Sequence, residues 1–258
     1  MFYNRSIAVA VLIAAAASAR AQEAPHGDLS PRVTGGRIVV DEHVDGTGLT
    51  ASDQRVFAYD FQEDPDNPFA IDDPGFNALP GSGLPTGSRV GFLPVALPSQ
   101  LNAVGLAYWN GSDVDAAGDP VFGAGPAGQS LTLNFLSINR TFTAASAPAS
   151  ALFGPGVESN GAFHTHLSSL LNGPDGNPGP TDGFAPADGI YVLSFSVISN
   201  AGGIDASAPL LMVYNNGLTE EQHDAAIDYA ASTVPEPTSL AVLGLGAFGL
   251  LRRRRAGV

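Results

Sequence analysis

The chain has 258 residues, with 31 glycines, 20 prolines and no cysteine. The lack of cysteine excludes disulfide cross-links and zinc sites built on thiolates. The formal net charge is −14, and between residues 22 and 234 only five arginines face 24 acidic residues. So acidic a body argues against nucleic acid or an anionic membrane surface as its partner.

A secretory signal peptide is predicted over residues 1–21. Arg5 supplies a positive charge, residues 7–17 are apolar, and the small residues Ala19 and Ala21 precede Gln22. This order is typical of a signal peptide, and the apolar run is shorter than the ~20 residues that span a bilayer. We therefore expect cleavage after Ala21 and export through the Sec translocon.

Residues 22–234 are expected to form one secreted domain built from strands. Tyr191, Leu193 and Phe195 alternate with Ser194 and Ser196, which is the clearest period of two in the chain. Alternation and apolar runs between glycine, proline and asparagine clusters predict strands at other places too. In chain order the predicted strands cover residues 37–40, 56–61, 89–95, 103–109, 130–138, 191–197 and 209–214.

One helix is predicted near the end of this domain. Thr219 and Gln222 have the spacing of a capping box, and residues 225–231 have good helix composition. The sequence thus predicts an all-β, jelly-roll-like antiparallel β-sandwich with one C-terminal helix packed on it. The segments 63–87 and 172–188 are predicted to be long loops, which in compact domains are usually functional or mobile.

His164 and His166 are the candidate metal ligands. On a strand, side chains two residues apart point to the same face, about 7 Å apart along the backbone, which is close enough to share an ion. Further ligands could come from His26, Asp28, Glu221 or His223. The alternative is two histidines on the polar face of a strand, without a metal.

A His-x-His pair is also the first part of the cupin metal motif. The glutamate that this motif requires is missing from residues 167–171. This departure argues against a cupin oxygenase or isomerase. A G-x-S-x-G elbow and a cysteine nucleophile are both missing from the sequence, so nothing indicates nucleophilic hydrolysis.

Calcium is the second candidate ion, since carboxylates cluster in turn-rich segments such as 63–67 and 110–119. The spacing does not fit an EF-hand: counting from Asp113, position five is Ala117 and position twelve is Ala124. Ordinary Asp and Asn turn chemistry is the expected explanation. Trp109 is expected in the core, with stacking on a carbohydrate as the alternative.

The C-terminus has three parts in order: Pro235, Glu236 and Pro237, then an apolar stretch over residues 240–251, then a basic cluster. This end resembles the PEP-CTERM sorting signal of Gram-negative bacteria. The resemblance implies transient insertion in the inner membrane, cleavage near Pro-Glu-Pro by an exosortase-type membrane protease, and release to the cell surface or extracellular matrix. The alternative is a permanent tail anchor. The basic cluster, which favours the cytoplasmic face, consists of Arg252, Arg253, Arg254 and Arg255.

The chain also resembles a subset of exported PEP-CTERM proteins that is thought to be controlled by zinc availability. The shared features are His-Gly-Asp at residues 26–28, His-x-His at 164–166 and Asn-Asn-Gly-Leu-Thr-Glu-Glu-x-His at 215–223. This resemblance implies zinc as the ion and four metal ligands: His26, His164, His166 and His223.

Two functions are compatible with these features. The first is a non-enzymatic surface or matrix protein that binds a divalent metal through histidines, with extracellular polysaccharide as a partner. The alternative is an exported metal-dependent enzyme that acts on an extracellular substrate.

Overall fold

The structure, a computed structural model, describes residues 27–44, 46–177 and 184–234. The predicted signal peptide, His26 and the sorting tail at 235–258 lie outside the described residues. The expected all-β sandwich with a single C-terminal helix is confirmed for the part of the chain that is described.

In the first half of the domain, the described residues form nine strands and one short 3₁₀ turn. The 3₁₀ turn is Ser99–Leu101. The strands are β1 (Asp28–Thr34), β2 (Arg37–Val44), β3 (Gly48–Ala51), β4 (Val56–Asp60), β5 (Ala70–Ile71), β6 (Gly75–Ala78), β7 (Arg89–Pro94), β8 (Ala107–Trp109) and β9 (Gly123–Ala124).

In the second half, the described residues form seven strands and the helix. They are β10 (Ser130–Phe135), β11 (Ile138–Thr143), β12 (Leu152–Gly156), β13 (Phe163–His166), β14 (Ser168–Asn172), β15 (Gly189–Ser199), β16 (Leu210–Asn216) and α1 (Glu220–Thr233).

These strands form three sheets. A five-stranded sheet has the order β13-β6-β1-β2-β3, and a four-stranded sheet has the order β11-β10-β14-β5. The third sheet has the order β12-β7-β15-β16-β4, with β8 and β9 attached to β15. Most neighbours are antiparallel, but β1 pairs with β6 and β4 with β16 in parallel. The parallel pairs are possible because long stretches of chain separate the two strands of each pair.

One apolar core joins the three sheets. It includes Leu29 from the first sheet, Leu131 from the second and Phe195 from the third, all fully buried. A second apolar cluster lies on the other face of β15 and β16, under α1, and includes Trp109, Ile190 and Ala226. The clear alternation of β15 therefore does not mark a solvent-facing side, because the helix layer covers the second face as well.

Several predicted elements have different bounds in the structure. The strand predicted over 130–138 ends at Phe135, and the chain turns at Leu136, where φ is +56°, to form a hairpin of β10 with β11. The strand predicted at 103–109 begins only at Ala107, and the predicted loop 63–87 contains β5 and β6. Short strands of two to four residues carry too little sequence period to be recognised.

The predicted start of the helix is confirmed. Thr219 is the N-cap of α1; its hydroxyl accepts from the backbone N–H of Gln222, while the Gln222 side chain accepts from the backbone of Thr219. Gln222 also donates to the carbonyl of Gly111 at 2.8 Å, which fixes the start of the helix against the loop after β8.

Candidate metal centre

The two histidines of β13 lie on the outer face of the five-stranded sheet, as the His-x-His spacing predicts. β13 is an edge strand and pairs with β6, so that His164 is opposite Asn77 and His166 is opposite Gly75. Phe163 of the same strand is buried in the core, which fixes the register and points the alternate residues outward. The His164 and His166 side chains are 48% and 45% exposed.

The imidazole rings converge on one point. The two Nε2 atoms are 3.0 Å apart, and the ring centroids are 4.9 Å apart. His166 Nδ1 lies 2.7 Å from the backbone carbonyl oxygen of Asp72. Because a carbonyl can only accept, the proton of a neutral His166 ring is on Nδ1, which leaves the Nε2 lone pair available to a metal ion.

The carbonyl that orients His166 is itself held in place. Ser168 Oγ donates to Asp72 Oδ1 at 2.8 Å, and the N–H of Leu167 donates to the carbonyl of Pro74 at 3.1 Å. Ser169 donates to the carbonyl of Asp73 and lies 3.1 Å from the Tyr214 hydroxyl. The segment that carries Asp72 is therefore tied to β14 and, through Ser169, to the core.

Asp28 supplies a third donor from β1. Its Oδ2 is 3.4 Å from His164 Nε2, although β6 lies between the two strands. The residue is only 8% exposed, so the carboxylate is directed at the histidines rather than toward solvent. Within the described residues, one group of His, Asp and Glu side chains is arranged to hold a metal ion: Asp28, His164 and His166. Each offers one ligand atom, and these three atoms lie within 4.8 Å of one another.

Gly75 makes the approach of Asp28 possible. A Cβ at this position would lie 1.8 Å from Asp28 Oδ1 and 3.1 Å from His166 Cε1. The carboxylate thus occupies the space that any side chain on residue 75 would fill. A glycine inside a strand often marks such a close approach, but the sequence did not indicate which group approaches Gly75.

The neighbours on the same face are polar. Asn77 Nδ2 is 3.4 Å from Asp28 Oδ2 and 3.1 Å from His43 Nδ1, and His43 is directly opposite Asp28 in the β1–β2 ladder. Asn77 therefore supports the Asp28 carboxylate and links it to His43. Neither Asn77 nor His43 was a predicted site residue, because only the pairing of four strands brings them to the cluster.

A second charged pair lies further along the same two strands. Arg32 forms an ion pair with Asp41, which also accepts from the backbone N–H of Asp53 at 2.9 Å. Partial burial alone would raise the pKa of Asp41, but the hydrogen bonds from Arg32 and Asp53 hold it below its usual value. Asp41 is thus engaged as a structural carboxylate.

Two of the three separations within the cluster fit a small divalent ion. Ligand atoms about 2.0–2.1 Å from a tetrahedral zinc ion lie roughly 3.3 Å from each other. The observed separations are 3.0 Å between the two nitrogens and 3.4 Å from His164 Nε2 to the carboxylate. Two imidazoles and one carboxylate suit a borderline ion such as zinc better than calcium, which selects oxygen.

His223 lies at a different place in the fold. It is on α1, 2% exposed, with Nδ1 3.3 Å from Asp60 Oδ1. Its Nε2 is buried and has no hydrogen-bond partner among the described residues. Of the predicted ligands, the structure brings His164, His166 and Asp28 together, and His223 lies apart from them. Glu221 is exposed on α1, and His26 lies outside the described residues.

The acidic turns use their oxygens within their own loops. Asn110 Oδ1 accepts from the backbone N–H groups of Ser112 and Asp113 at 2.9 and 3.0 Å. Asp115 Oδ1 accepts from Ala117 and Asp119 in the same way, at 2.7 and 3.1 Å. This is the turn chemistry expected of Asp and Asn.

Trp109 lies in the core. It is 3% exposed and packs against Phe122, and its indole N–H donates to the carbonyl of Asp113 at 2.6 Å. The indole is therefore not available for stacking on a carbohydrate.

The fold and the cluster define a β-sandwich protein with a histidine–carboxylate group on one open sheet face. Its residues 233–255 match the PEP-CTERM protein-sorting motif, which begins at the last residue of α1. No curated protein of related sequence and no solved structure of related fold matches the chain. In the part that the structure describes, no helix is both long and apolar enough to cross a membrane.

The match confirms that the tail carries the predicted sorting motif. It marks an exported protein that an exosortase, a membrane protease, processes, and that reaches the cell surface or the extracellular space.

Proposed function

We propose that this protein is an exported surface or matrix β-sandwich that binds one divalent ion, zinc, through Asp28, His164 and His166. The observation that carries the proposal is the convergence of three ligand atoms from two strands within 4.8 Å of one another. His164 Nε2 faces both His166 Nε2 and the Asp28 carboxylate, and one shared cation would satisfy all three groups.

The charge of the protein supports a cation as the ligand. The domain between residues 22 and 234 has five arginines against 24 acidic residues, so its field attracts cations. His166 is oriented through its Nδ1–H by the Asp72 carbonyl, and Asp28 is supported by Asn77. Such outer contacts orient metal ligands and raise their affinity.

The route to the surface completes the proposal. The signal peptide over residues 1–21 directs the chain to the Sec translocon, and the tail over 235–258 holds it transiently in the inner membrane of a Gram-negative cell. Exosortase cleavage near Pro235 then releases the domain of residues 22–234. His26 stands two residues before Asp28 in the sequence and remains a predicted fourth ligand.

The test is metal analysis of the processed protein recovered from secreting cells. Elemental analysis and calorimetric titration should show one zinc ion per chain. Asp28→Asn keeps the shape of the side chain but removes the charge, and should weaken binding by about 10-fold or more. Glu220→Gln, on the exposed start of α1, is the matched control and should bind as the native protein does. The proposal would be contradicted if the native protein bound none of the four ions zinc, copper, nickel and iron.

An exported metal-dependent enzyme is the second candidate, favoured by the open side of the cluster. Three protein ligands leave a fourth position of a tetrahedral ion for water or substrate. Beside His166 lies an open cavity of about 550 Å³, whose lining includes Asp72, Asp73 and Ser168. Hydrolysis of an extracellular polysaccharide by the zinc-loaded protein, lost in Asp28→Asn, would favour the enzyme over a binding protein.

A further inference from the structure

A groove of about 580 Å³ lies where α1 ends, and Asp28, His164 and His166 are not among its lining residues. Its walls are largely apolar and include Leu97, Pro98 and Leu211. Thr233 and Val234, the last described residues, also line it. The described chain therefore ends at the wall of this groove.

The groove concentrates positive charge in an acidic protein. Arg37 and Arg55 both line it, and they are two of only five arginines between residues 22 and 234. The Arg55 guanidinium donates to the carbonyl of Pro209, with Nε at 2.9 Å. Within the described residues neither arginine forms an ion pair with a carboxylate, although Asp53 also lines the groove. A ligand with an apolar body and one negative charge would fit these walls.

The residues that follow Val234 have this chemistry. Pro235, Glu236 and Pro237 place one carboxylate between two apolar rings. Two residues of extended chain reach about 7 Å, so Glu236 can reach cationic side chains in a groove that Val234 itself lines. Prolines favour an extended conformation that loses little entropy on binding to an apolar surface.

We propose that residues 235–239 bind in this groove, with the Glu236 carboxylate between Arg37 and Arg55. Because the segment is covalently joined to the domain, binding is intramolecular and needs only modest contact energy. Docking holds the Pro-Glu-Pro element against the folded domain. A protease that cleaves near this element can therefore act only after the element has left the groove. This inference is independent of the metal cluster.

The absence of cysteine allows a direct test on the full chain. A single thiol is introduced as Thr238→Cys, and the chain is purified in detergent from cells that lack an exosortase. The rate of maleimide labelling then reports whether the segment is covered. In the Arg37→Glu background labelling should become about threefold faster, as expected for the loss of an exposed ion pair and its replacement by repulsion. Arg89→Glu, an exposed arginine outside the groove, is the control and should leave the rate unchanged.

A charge exchange separates docking from misfolding. Glu236→Arg combined with Arg37→Glu should restore slow labelling, whereas a misfolded domain would not recover. Equal rates in the native and Arg37→Glu chains would overturn the proposal, as would an equal increase in Arg89→Glu. A third result would assign the groove to lipid: the Thr238→Cys thiol is labelled fast in every variant, and phosphatidylglycerol vesicles protect a thiol introduced as Pro98→Cys. That result would show the proposal to be wrong.

Discussion

Among the described residues, two of the histidine–aspartate contacts have nearly the same length but lie in opposite surroundings. His164 Nε2 lies 3.4 Å from Asp28, and His223 Nδ1 lies 3.3 Å from Asp60. The His164 side chain is 48% exposed, while that of His223 is 3% exposed. A distance between two such groups therefore does not by itself identify a ligand site.

The difference lies in what surrounds each pair. Beside His164 there is a second imidazole, and Gly75 provides the space for the carboxylate. Beside His223 the Asp60 carboxylate also accepts from Asn215 at 2.8 Å, and the other ring nitrogen is buried without a hydrogen-bond partner among the described residues. The first pair is open to an ion from solvent, whereas the second attaches α1 to β4 and β16.

The largest expected effect is on the open pair. In the double variant with His164→Ala and His166→Ala, zinc binding should disappear. Loss of a residue that only orients a metal ligand already lowers metal affinity by about 10–100-fold, and here two ligands are removed. The melting temperature of the metal-free protein should stay nearly the same, since both side chains are about half exposed. Calorimetric titration and thermal unfolding without metal measure the two quantities. A large loss of stability without metal would show that these histidines are structural.

Gly75→Ala tests the open pair without removing any ligand. The added Cβ would overlap Asp28 Oδ1, so the carboxylate must move away and zinc affinity should fall by about 10–100-fold. Gly123→Ala is the matched control, because a Cβ there meets no atom within 4 Å. The two variants are compared by zinc titration. Unchanged affinity in Gly75→Ala would mean that Asp28 is not a ligand.

The buried pair should show the reverse behaviour. His223→Ala leaves a cavity and removes a partner from the buried Asp60 carboxylate, so the free energy of unfolding should fall by about 2–4 kcal/mol. Zinc affinity should not change. Urea unfolding and zinc titration of the same variant provide both values. A variant that keeps its stability but loses zinc would show His223 to be a ligand, as the resemblance to the zinc-regulated subset implies.

The smallest effect is expected at the acidic turns. Removal of calcium with a chelator should leave the melting temperature of a zinc-free sample unchanged, because Asn110 and Asp115 already accept hydrogen bonds within their own loop. Thermal unfolding with and without added calcium measures this. A rise in melting temperature that increases with calcium concentration would instead indicate a calcium site.

Local patterns predicted much of the fold. The capping box at Thr219 and the alternation in β15 depend on neighbouring residues and were found at their predicted places. The strands without a predicted counterpart are β1, β3, β5, β6, β9, β12 and β14. β6 has only four residues, and its partners β1 and β13 lie far from it in the sequence.

The candidate site shows the same division. The His-x-His spacing is local, and it predicted that His164 and His166 share one face. Asp28 was one of several proposed further ligands, because spacing cannot tell which distant strand is the neighbour. The resemblance that grouped His223 with these residues carried no information about burial.

The sequence alone determined the sorting motif of the tail, the all-β class and the paired histidines, because each depends on composition or on residues within a few positions of one another. Only the tertiary structure decided which carboxylate meets those histidines. A parallel pairing of β1 with β6, fixed by burial of Leu29 and Phe76 on the opposite face, brings Asp28 over Gly75 to His164. Such a contact follows from the packing of the whole core, which no local stretch of sequence specifies.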